Sequence, residues 1–531
     1  MAAVASDTSG APPRATGAGP FDEFFSQPGH PHPHVEALAA SLDQLGREQL
    51  SAAARRRDET FIQQGITFEV TGGDPDAPLR DRPFPLDLIP RVIPAEEWRG
   101  VKRGIAQRVR ALNCFIDDLY HDREIVREGL VPWSLVVSRA GFARPVHGIR
   151  PPGGVYCHVT GCDLVRDADG RWKVLEDNVR TPSGISYVIE NRAAMTRLLP
   201  QVFAGYRVRP VDHYPALLRA ALAEVAPGAG EDPTIVVWTP GPANPAYFEH
   251  AFLAREMGVE LVEASDLLVR DSVCYMRTTN GLERVHTIYR RLDDAFVDPL
   301  EFREDSLLGV PGLVRAYRSG CLAIANALGT GVADDKAVYC YVPEMIRFYL
   351  GEEPLLENVT TYLLSEPEQR EHVLGRLDTL VVKPTGESGG KGVFIGPAAR
   401  DGELAEQAAL IREDPGRWIA QEVVELSVVP IVDADGRLAP RRVDLRPFAI
   451  FGDEVKIVPG GLTRVALEEG SMVVNSSRGG GSKDTWVLEE DAPAKPRVMR
   501  LRRTTPPRRL DGRPAGWTGQ EQQQQQQASA R

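Results

Sequence analysis

Residues 157–178 read CHVTGCDLVRDADGRWKVLEDN, two β-strand patterns joined by the turn-forming segment Asp-Ala-Asp-Gly. Side chains alternate along a strand, so Glu176 and Asn178 share one face of the second strand. If the four turn residues close the hairpin, Asp163 opposes Val174 and lies diagonal to Glu176 on the same face. We therefore expect the oxygen atoms of Asp163, Glu176 and Asn178 to converge, an arrangement that suits the hard cation Mg²⁺.

The alternative for this hairpin is a solvated surface turn. A one-residue bulge would change the pairing, so the convergence depends on a regular register. The next segment, Arg-Thr-Pro-Ser-Gly at 180–184, favours a ligand site. A restrictive proline and a permissive glycine beside carboxylates indicate a shaped loop that approaches a ligand.

A glycine-rich loop lies between predicted strands at 379–383 and 392–395. It reads TGESGGKG at 385–392, and its glycines let backbone N–H groups close on phosphate oxygens. It is not a Walker A loop, because Thr385 holds the first glycine position and Gly392 follows Lys391. A strand follows it, so it is not a dinucleotide fingerprint either. We expect a lid over a triphosphate, and a plain glycine-rich hairpin is the alternative.

Two later segments belong with this loop. Residues 418–424 predict a strand that presents backbone groups to adenine, with an ordinary strand edge as the alternative. Arg446 and Arg464 are candidate anion clamps, with surface salt bridges as the alternative. A strand is also predicted over 443–451.

The fold class is mixed α/β (α+β). Residues 95–121 predict a helix. A strand at 234–238, a helix near 245–257 and a strand near 259–263 predict a Rossmann-like unit that lacks a nucleotide fingerprint.

Composition narrows the function classes. The chain has 531 residues and a net charge of −12, which argues against a nucleic-acid coat protein. Its 6 cysteines include no C-x-x-C pair, so neither a zinc ribbon nor a redox motif is indicated. No apolar run is long enough to span a membrane, and no secretory signal is visible. We expect a cytoplasmic protein without nucleic-acid or membrane partners.

These motifs together resemble the ATP-grasp superfamily, and within it the circularly permuted ATP-grasp proteins. In ordinary ATP-grasp enzymes an Asp lies 13 residues before the Glu of a Glu-x-Asn motif, and all three hold Mg²⁺; Asp163, Glu176 and Asn178 match this spacing. The two nucleotide lysines of the family look like Lys336 and Lys383. The remaining nucleotide contacts that the resemblance implies are the lid residues Ser388, Gly389, Gly390 and Gly392 and the adenine hinge residues Gln421, Glu422 and Val424.

The order of the motifs departs from the usual pattern. Here the metal motif precedes the lid and hinge by more than 200 residues, as circular permutation would produce. The runs 175–187 and 473–486 look characteristic of the permuted branch. The resemblance covers about residues 55–490.

The resemblance implies an ATP-dependent ligase. ATP would phosphorylate a carboxylate to an acyl phosphate, and an amine would displace phosphate to form an amide. The implied cofactors are ATP and Mg²⁺, with Mn²⁺ as an alternative ion, and the implied partners are small-molecule or peptide acids and amines. Arg464 is expected to stabilise the transferred phosphoryl oxygens, with Arg446 and Arg180 as further catalytic candidates.

Two other functions stay open at this point. A catalytically weak nucleotide-binding scaffold or sensor would bind ATP without ligase turnover. A kinase-like phosphotransferase would release a stable phosphorylated product.

The expected division of the chain follows from the same motifs. It comprises a disordered segment at 1–20, a helical region with the metal-binding part of the core at 21–212, an inserted Rossmann-like pre-ATP-grasp domain at 213–325, the lid and nucleotide-binding part at 326–490, and a disordered basic and polyglutamine tail at 491–531.

Overall fold

The computed structural model describes residues 19–68, 82–138, 141–387, 391–433, 436–472, 474 and 480–490. Residues 1–18 and the tail at 491–531, both predicted to be disordered, lie outside this set. The helices are α1 Glu36–Gln63, α2 Ala95–Tyr120, α3 Glu124–Arg127, α4 Trp133–Val137, α5 Ile185–Leu198, α6 Pro200–Phe203, α7 Tyr214–Glu224, α8 Tyr247–Met257, α9 Leu313–Arg318, α10 Lys336–Tyr339, α11 Val342–Leu350, α12 Pro367–Leu374 and α13 Glu403–Glu413.

The strands of the described residues form six sheets. They are β1 Phe25–Gln27, β2 His30–Pro31, β3 Thr67–Phe68, β4 Arg82–Pro83, β5 Leu86–Ile93, β6 Val159–Arg166, β7 Trp172–Asn178, β8 Ile235–Trp238, β9 Glu260–Val262, β10 Leu267–Arg270, β11 Val273–Thr278, β12 Gly281–Arg284, β13 Thr287–Arg290, β14 Ala323–Ala325, β15 Glu357–Asn358, β16 Thr361–Leu363, β17 Leu380–Pro384, β18 Phe394–Ile395, β19 Trp418–Glu422, β20 Val428–Val432, β21 Leu438–Arg446, β22 Phe448–Phe451, β23 Val455–Ile457, β24 Leu462–Val465 and β25 Gly481–Val487.

A ten-stranded sheet carries the site. Its main path is β15-β7-β6-β21-β24-β25-β5, with β20, β22 and β23 paired beside it. The helix predicted at 95–121 is α2, and it covers one face of this sheet. Its apolar residues Val101 and Ile105 recur four apart, as one helix face requires, and pack with Leu164 and Val174 of the hairpin. Each fully buried aliphatic side chain of this kind contributes about 1.5–3 kcal/mol.

The hairpin predicted from residues 157–178 is present, but the predicted register is wrong. Asp163 pairs with Glu176 rather than opposing Val174, because Val174 pairs with Leu164 and the register shifts between those two pairs. Leu175 is therefore the extra residue of a β-bulge. Pairs 166–172 and 165–173 also show a turn one residue longer than expected. The bulge places Asp163 directly opposite Glu176, which brings the two carboxylates closer than the diagonal arrangement would.

The Rossmann-like unit is confirmed as a four-stranded parallel sheet. Its order is β14-β13-β8-β9, and helix α8 connects β8 to its parallel neighbour β9. The inner strands are wholly buried, as expected where helices cover both faces of a parallel sheet. Helix α8 ends at Gly258, whose positive φ of 66° suits the left-handed helix cap.

The predicted strands around the glycine-rich loop lie in a separate antiparallel sheet of order β16-β19-β17-β18. The strand predicted at 443–451 is instead two strands, β21 and β22. Pro447 separates them because it has no N–H to donate to the ladder. The domain boundaries at 212/213 and 325/326 stay predictions. Among the described helices, none combines the length and apolarity needed to cross a membrane.

Candidate active site

A cleft of about 540 Å³ brings the early hairpin and the late strands together. Most of the residues singled out in the sequence line it. They are Asp163, Glu176, Asn178, Arg180, Lys336, Lys383, Gln421, Glu422, Val424, Arg446 and Arg464. The bulge explains why Leu175 lines the cleft beside Glu176, since two successive residues face the same side there.

Only part of the predicted glycine lid lies among the residues that the structure describes. Ser388, Gly389 and Gly390 lie outside the described residues. Gly392 has a positive φ of 68°, a conformation that favours glycine, and is not itself a lining residue. Its neighbour Lys391 and the earlier Glu387 do line the cleft.

Asp163 is buried and holds two arginines. Its Oδ1 accepts from Arg446 Nε, and its Oδ2 accepts from Arg446 Nη2 at 2.8 Å and from Arg464 Nη2 at 2.6 Å. Burial works to raise the pKa of this carboxyl, but the two guanidinium groups hold the pKa well below its usual range. Asp163 is therefore an ionised carboxylate whose oxygens are both engaged.

Arg464 has a second carboxylate partner, Asp444, which the sequence interpretation did not select. Arg464 Nε donates to the two Asp444 oxygens at 2.9 and 3.0 Å. The two residues are directly opposed on β21 and β24. Burial raises the pKa of Asp444, against the effect of Arg464. The sequence did contain a signal for Asp444, because this residue lies two positions before Arg446 and so shares its face of the strand.

Glu176 and Asn178 are the more open oxygen donors. The Glu176 side chain is 26% exposed, and its nearest cations, Lys336 Nζ and Arg446 Nη2, are both 3.8 Å away. Asn178 Nδ2 donates to the carbonyl of Gly161 at 3.2 Å, which leaves its Oδ1 as the remaining acceptor. These hard oxygen atoms on one hairpin face fit Mg²⁺.

The donor set is small. No three His, Cys, Asp or Glu side chains among the described residues are clustered as metal ligands. Besides the hairpin carboxylates, a cation at this site would therefore need the Asn178 amide oxygen and oxygens from water or phosphate.

The two candidate nucleotide lysines lie on the same cleft. Lys383 Nζ donates to Gln421 Oε1 at 2.5 Å, and burial lowers the pKa of Lys383 to about 8. Lys336 starts α10, and its Nζ donates to the carbonyl of Glu387 at 2.6 Å. This last contact ties Lys336 to the loop that enters the predicted lid.

The candidate hinge begins at the end of β19, where Val423 and Val424 line the cleft. The Glu422 carboxylate is already used, because it accepts from Tyr362 Oη at 2.7 Å and from Arg376 Nη1 at 3.1 Å. Gln421 Nε2 donates to Thr361 Oγ1 at 3.0 Å.

Arg180 also lines the cleft, and two aspartates neighbour it. Its Nε donates to Asp334 Oδ2 at 2.6 Å, and its Nη1 lies 3.6 Å from Asp293. The pKa of Arg180 is raised chiefly by Asp334, although burial opposes this effect. Neither aspartate was selected from sequence, because their proximity to Arg180 arises only in the folded chain.

Glu249 of α8 holds the loop at 180–184 and the first residues of α5 in place. This buried carboxylate accepts from Ser183 Oγ at 2.8 Å, from Gly184 N at 2.7 Å and from Ser186 Oγ at 3.0 Å, and Arg291 lies 3.2 Å away. The Rossmann-like unit thus positions one wall of the cleft. No sequence pattern indicated Glu249, since it lies 66 residues from Ser183.

The fold and cleft are of the ATP-grasp class, with the acidic hairpin early in the chain. A family model for circularly permuted ATP-grasp type 2 proteins matches residues 90–466. The chain belongs to this circularly permuted ATP-grasp family, as its motifs predicted.

Several relatives share most of the chain. An uncharacterized protein of Synechocystis is 53% identical over 470 residues, which span 88% of this chain and 97% of the relative. An uncharacterized protein of Mycobacterium tuberculosis is 54% identical over 480 residues, which span 90% and 86%. A Frankia alni protein provisionally named glutamate–cysteine ligase 2-3 is 45% identical over 88% of this chain, but the match spans only 54% of that protein.

A solved structure shares the fold. The apo form of a glutathione synthetase-like effector from Globodera pallida matches with a TM-score of 0.54 and 13% identity, over 84% of this chain and 97% of the other.

Proposed function

We propose that this protein is an ATP- and Mg²⁺-dependent ligase that joins a carboxylate to an amine through an acyl phosphate. The observation that supports it best is the convergence on one cleft of Asp163 and Glu176 from the hairpin, Lys336 and Lys383, and the arginines at 446 and 464. These residues come from three distant parts of the chain. Carboxylates beside several cations are typical of a site for a metal-bound polyphosphate.

The nucleotide would lie between the hinge and the two lysines. Lys383 and Lys336 would offset the negative charge of the phosphates, and the apolar lining residues Val381 and Ile395 would contact the base or ribose. Glu176 and Asn178 would hold the ion, and the ion would supply positive charge that offsets the negative charge developing on the phosphates.

The chemistry proceeds in two balanced steps. An oxygen of the substrate carboxylate attacks the γ-phosphorus, the bond to the β-phosphate oxygen breaks, and ADP leaves. The amine nitrogen then attacks the acyl carbon, the bond from that carbon to the phosphate oxygen breaks, and the proton lost by the nitrogen leaves with inorganic phosphate as the amide forms. Arg464, fixed by Asp444, would stabilise the charge on the transferred phosphoryl group.

The name of the Frankia relative pairs glutamate with cysteine, which is consistent with carboxylate–amine ligation. The match covers only about half of that protein. Arg180 and the loop held by Glu249 line the part of the cleft where we expect the acid and amine to bind.

The test is ADP and phosphate release across a panel of amino acids, peptides and polyamines, with products identified by mass spectrometry. Equimolar ADP, phosphate and an amide product are expected for one acid–amine pair, and Glu176→Gln serves as the inactive reference. A stable phosphorylated product without free phosphate would instead indicate a phosphotransferase. Tight ATP binding without turnover on any pair would indicate a scaffold or sensor.

A further inference from the structure

The two arginines on Asp163 are held very differently. Arg464 is shared between Asp163 and Asp444, and it is only 7% exposed. Arg446 has one close carboxylate, Asp163. Its other polar contact is the carbonyl of Ser183 at 3.5 Å, while Glu176 lies 3.8 Å away.

This difference matters for cation binding at the hairpin. In the structure the two oxygens of Asp163 already accept three hydrogen bonds from guanidinium groups, which leaves about one of the four lone-pair sites of the carboxylate. A cation that binds Asp163 therefore repels a guanidinium on the same carboxylate, and this repulsion favours the departure of one arginine. Departure of Arg464 would leave the buried Asp444 carboxylate without its partner, which is costly. Departure of Arg446 strands no second carboxylate, and its side chain is 15% exposed to the cleft.

We propose that the cation and Arg446 compete for Asp163, so that loading of the metal–nucleotide releases Arg446 toward the reacting phosphoryl oxygens. This inference rests on the proposed function. Asp163 exchanges one positive partner for another, and the freed guanidinium gains the anion that arrives with the nucleotide. Arg464 stays in place throughout, because Asp444 anchors it. The free protein therefore keeps Arg446 bound to Asp163 until the nucleotide is present.

The experiment is a Mn²⁺ titration followed by electron paramagnetic resonance, with a non-hydrolysable ATP analogue at saturation. Arg446→Met keeps side-chain bulk but removes the competing charge, and we expect it to tighten Mn²⁺ binding roughly tenfold, as for directly coupled neighbours. Arg412→Met removes an exposed charge on α13, outside the cleft, and it should change the affinity by less than about twofold.

A double-mutant cycle separates competition from simple charge. In an Asp163→Asn background, Arg446→Met should change Mn²⁺ affinity by less than about twofold, because the contested carboxylate is gone. An equal tightening in both backgrounds would mean that Arg446 acts only by long-range repulsion, and the competition would be refuted. Circular dichroism checks the fold of each variant. If the Asp163→Asn protein does not fold, Arg446→Lys replaces it, since lysine keeps the charge but not the two-point contact.

The proposed function and the exchange fail in different ways. Absence of Mn²⁺ binding in the wild type and in every variant would refute the metal–nucleotide ligase, and the exchange with it. Mn²⁺ binding that is the same in the wild type and in Arg446→Met would refute the exchange alone. Arg446→Lys should tighten Mn²⁺ binding less than Arg446→Met does, and an equal or larger gain would also contradict the exchange.

Discussion

Glu176 and Asp177 are neighbours on β7, but they belong to different regions of the molecule. Glu176 faces the cleft, is 26% exposed and has cations only at 3.8 Å. Asp177 faces α2, where its side chain is 1% exposed and Arg108 binds it through Nε at 2.8 Å and Nη2 at 2.7 Å. Asp177 has close guanidinium donors and stabilises the fold, whereas Glu176 has no cation closer than 3.8 Å and is available to a ligand.

The cations on the two sides of β7, Arg108 and Lys383, also differ in whether a carboxylate binds them. Burial works against the charge of Arg108, but Asp177 holds the pKa of Arg108 above its usual value. Burial lowers the pKa of Lys383 to about 8, and the hydrogen-bond partner of its ammonium, Gln421, is neutral. Among the described residues no carboxylate forms an ion pair with Lys383, as expected of a residue that binds a nucleotide phosphate.

Glu176→Gln should have the largest effect. Removing this charge should lower Mg²⁺-dependent ATP turnover by about 10³-fold, in the range found when a key electrostatic group is lost. The melting temperature should stay unchanged, since no close ion pair is broken. Phosphate release and thermal denaturation measure the two quantities, with Glu413→Gln on the exposed end of α13 as the control. Normal turnover in the Glu176→Gln variant would contradict the assignment of Glu176 as a metal ligand.

Asp177→Asn should lower the stability of the fold rather than the turnover. It leaves the buried Arg108 without its carboxylate and should lower the free energy of unfolding by about 3 kcal/mol, the low end for a broken buried pair. Arg108 Nη1 keeps its contact with Asn358 Oδ1 at 2.8 Å, which limits the loss. Urea denaturation measures the change, and Glu490→Gln in the exposed pair with Arg99 should have no detectable effect. A loss of turnover without a loss of stability in this variant would contradict the assignment of Asp177 to the fold and of Glu176 to the cleft.

Lys383 should make ATP binding in the cleft depend on pH, a dependence that the α2 side of β7 lacks. With a pKa of about 8, its ammonium is charged below pH 8 and loses its proton as the pH rises through that value. ATP affinity should therefore fall by up to about tenfold between pH 7 and pH 9, since one pKa unit corresponds to a factor of ten. Isothermal calorimetry at several pH values measures this decline. Lys383→Arg should flatten it, because arginine stays charged over the range. A decline that persists in Lys383→Arg would assign the dependence to another group.

Glu422→Gln should have the smallest effect. Its carboxylate already accepts from Tyr362 and Arg376, so it resembles Asp177 more than Glu176. ATP affinity should change by less than about threefold, as is usual for a partly exposed ion pair. A tenfold loss in a calorimetric titration would show that Glu422 contacts the nucleotide directly, as the family resemblance implied.

Local sequence patterns predicted the candidate residues for the chemistry. Alternation along a strand placed Glu176 and Asn178 on one face, and helical spacing of apolar residues located α2. The spacing of the hairpin motif and the glycine-rich loop indicated the family. These signals are local, because they depend on backbone periodicities of two or about 3.6 residues.

Only the tertiary structure decided how the charges are paired. The bulge at Leu175 set Asp163 opposite Glu176, and nothing in the turn sequence required it. Arg446 and Arg464 reach Asp163 across 283 and 301 residues, and Glu249 of helix α8 binds the loop at 180–184 and the start of α5. Ion pairing depends on distances of a few ångströms between side chains, and these distances are fixed only when the strands assemble. The sequence therefore identifies Asp163 as an oxygen donor, and the folded chain decides whether an arginine or a cation holds it.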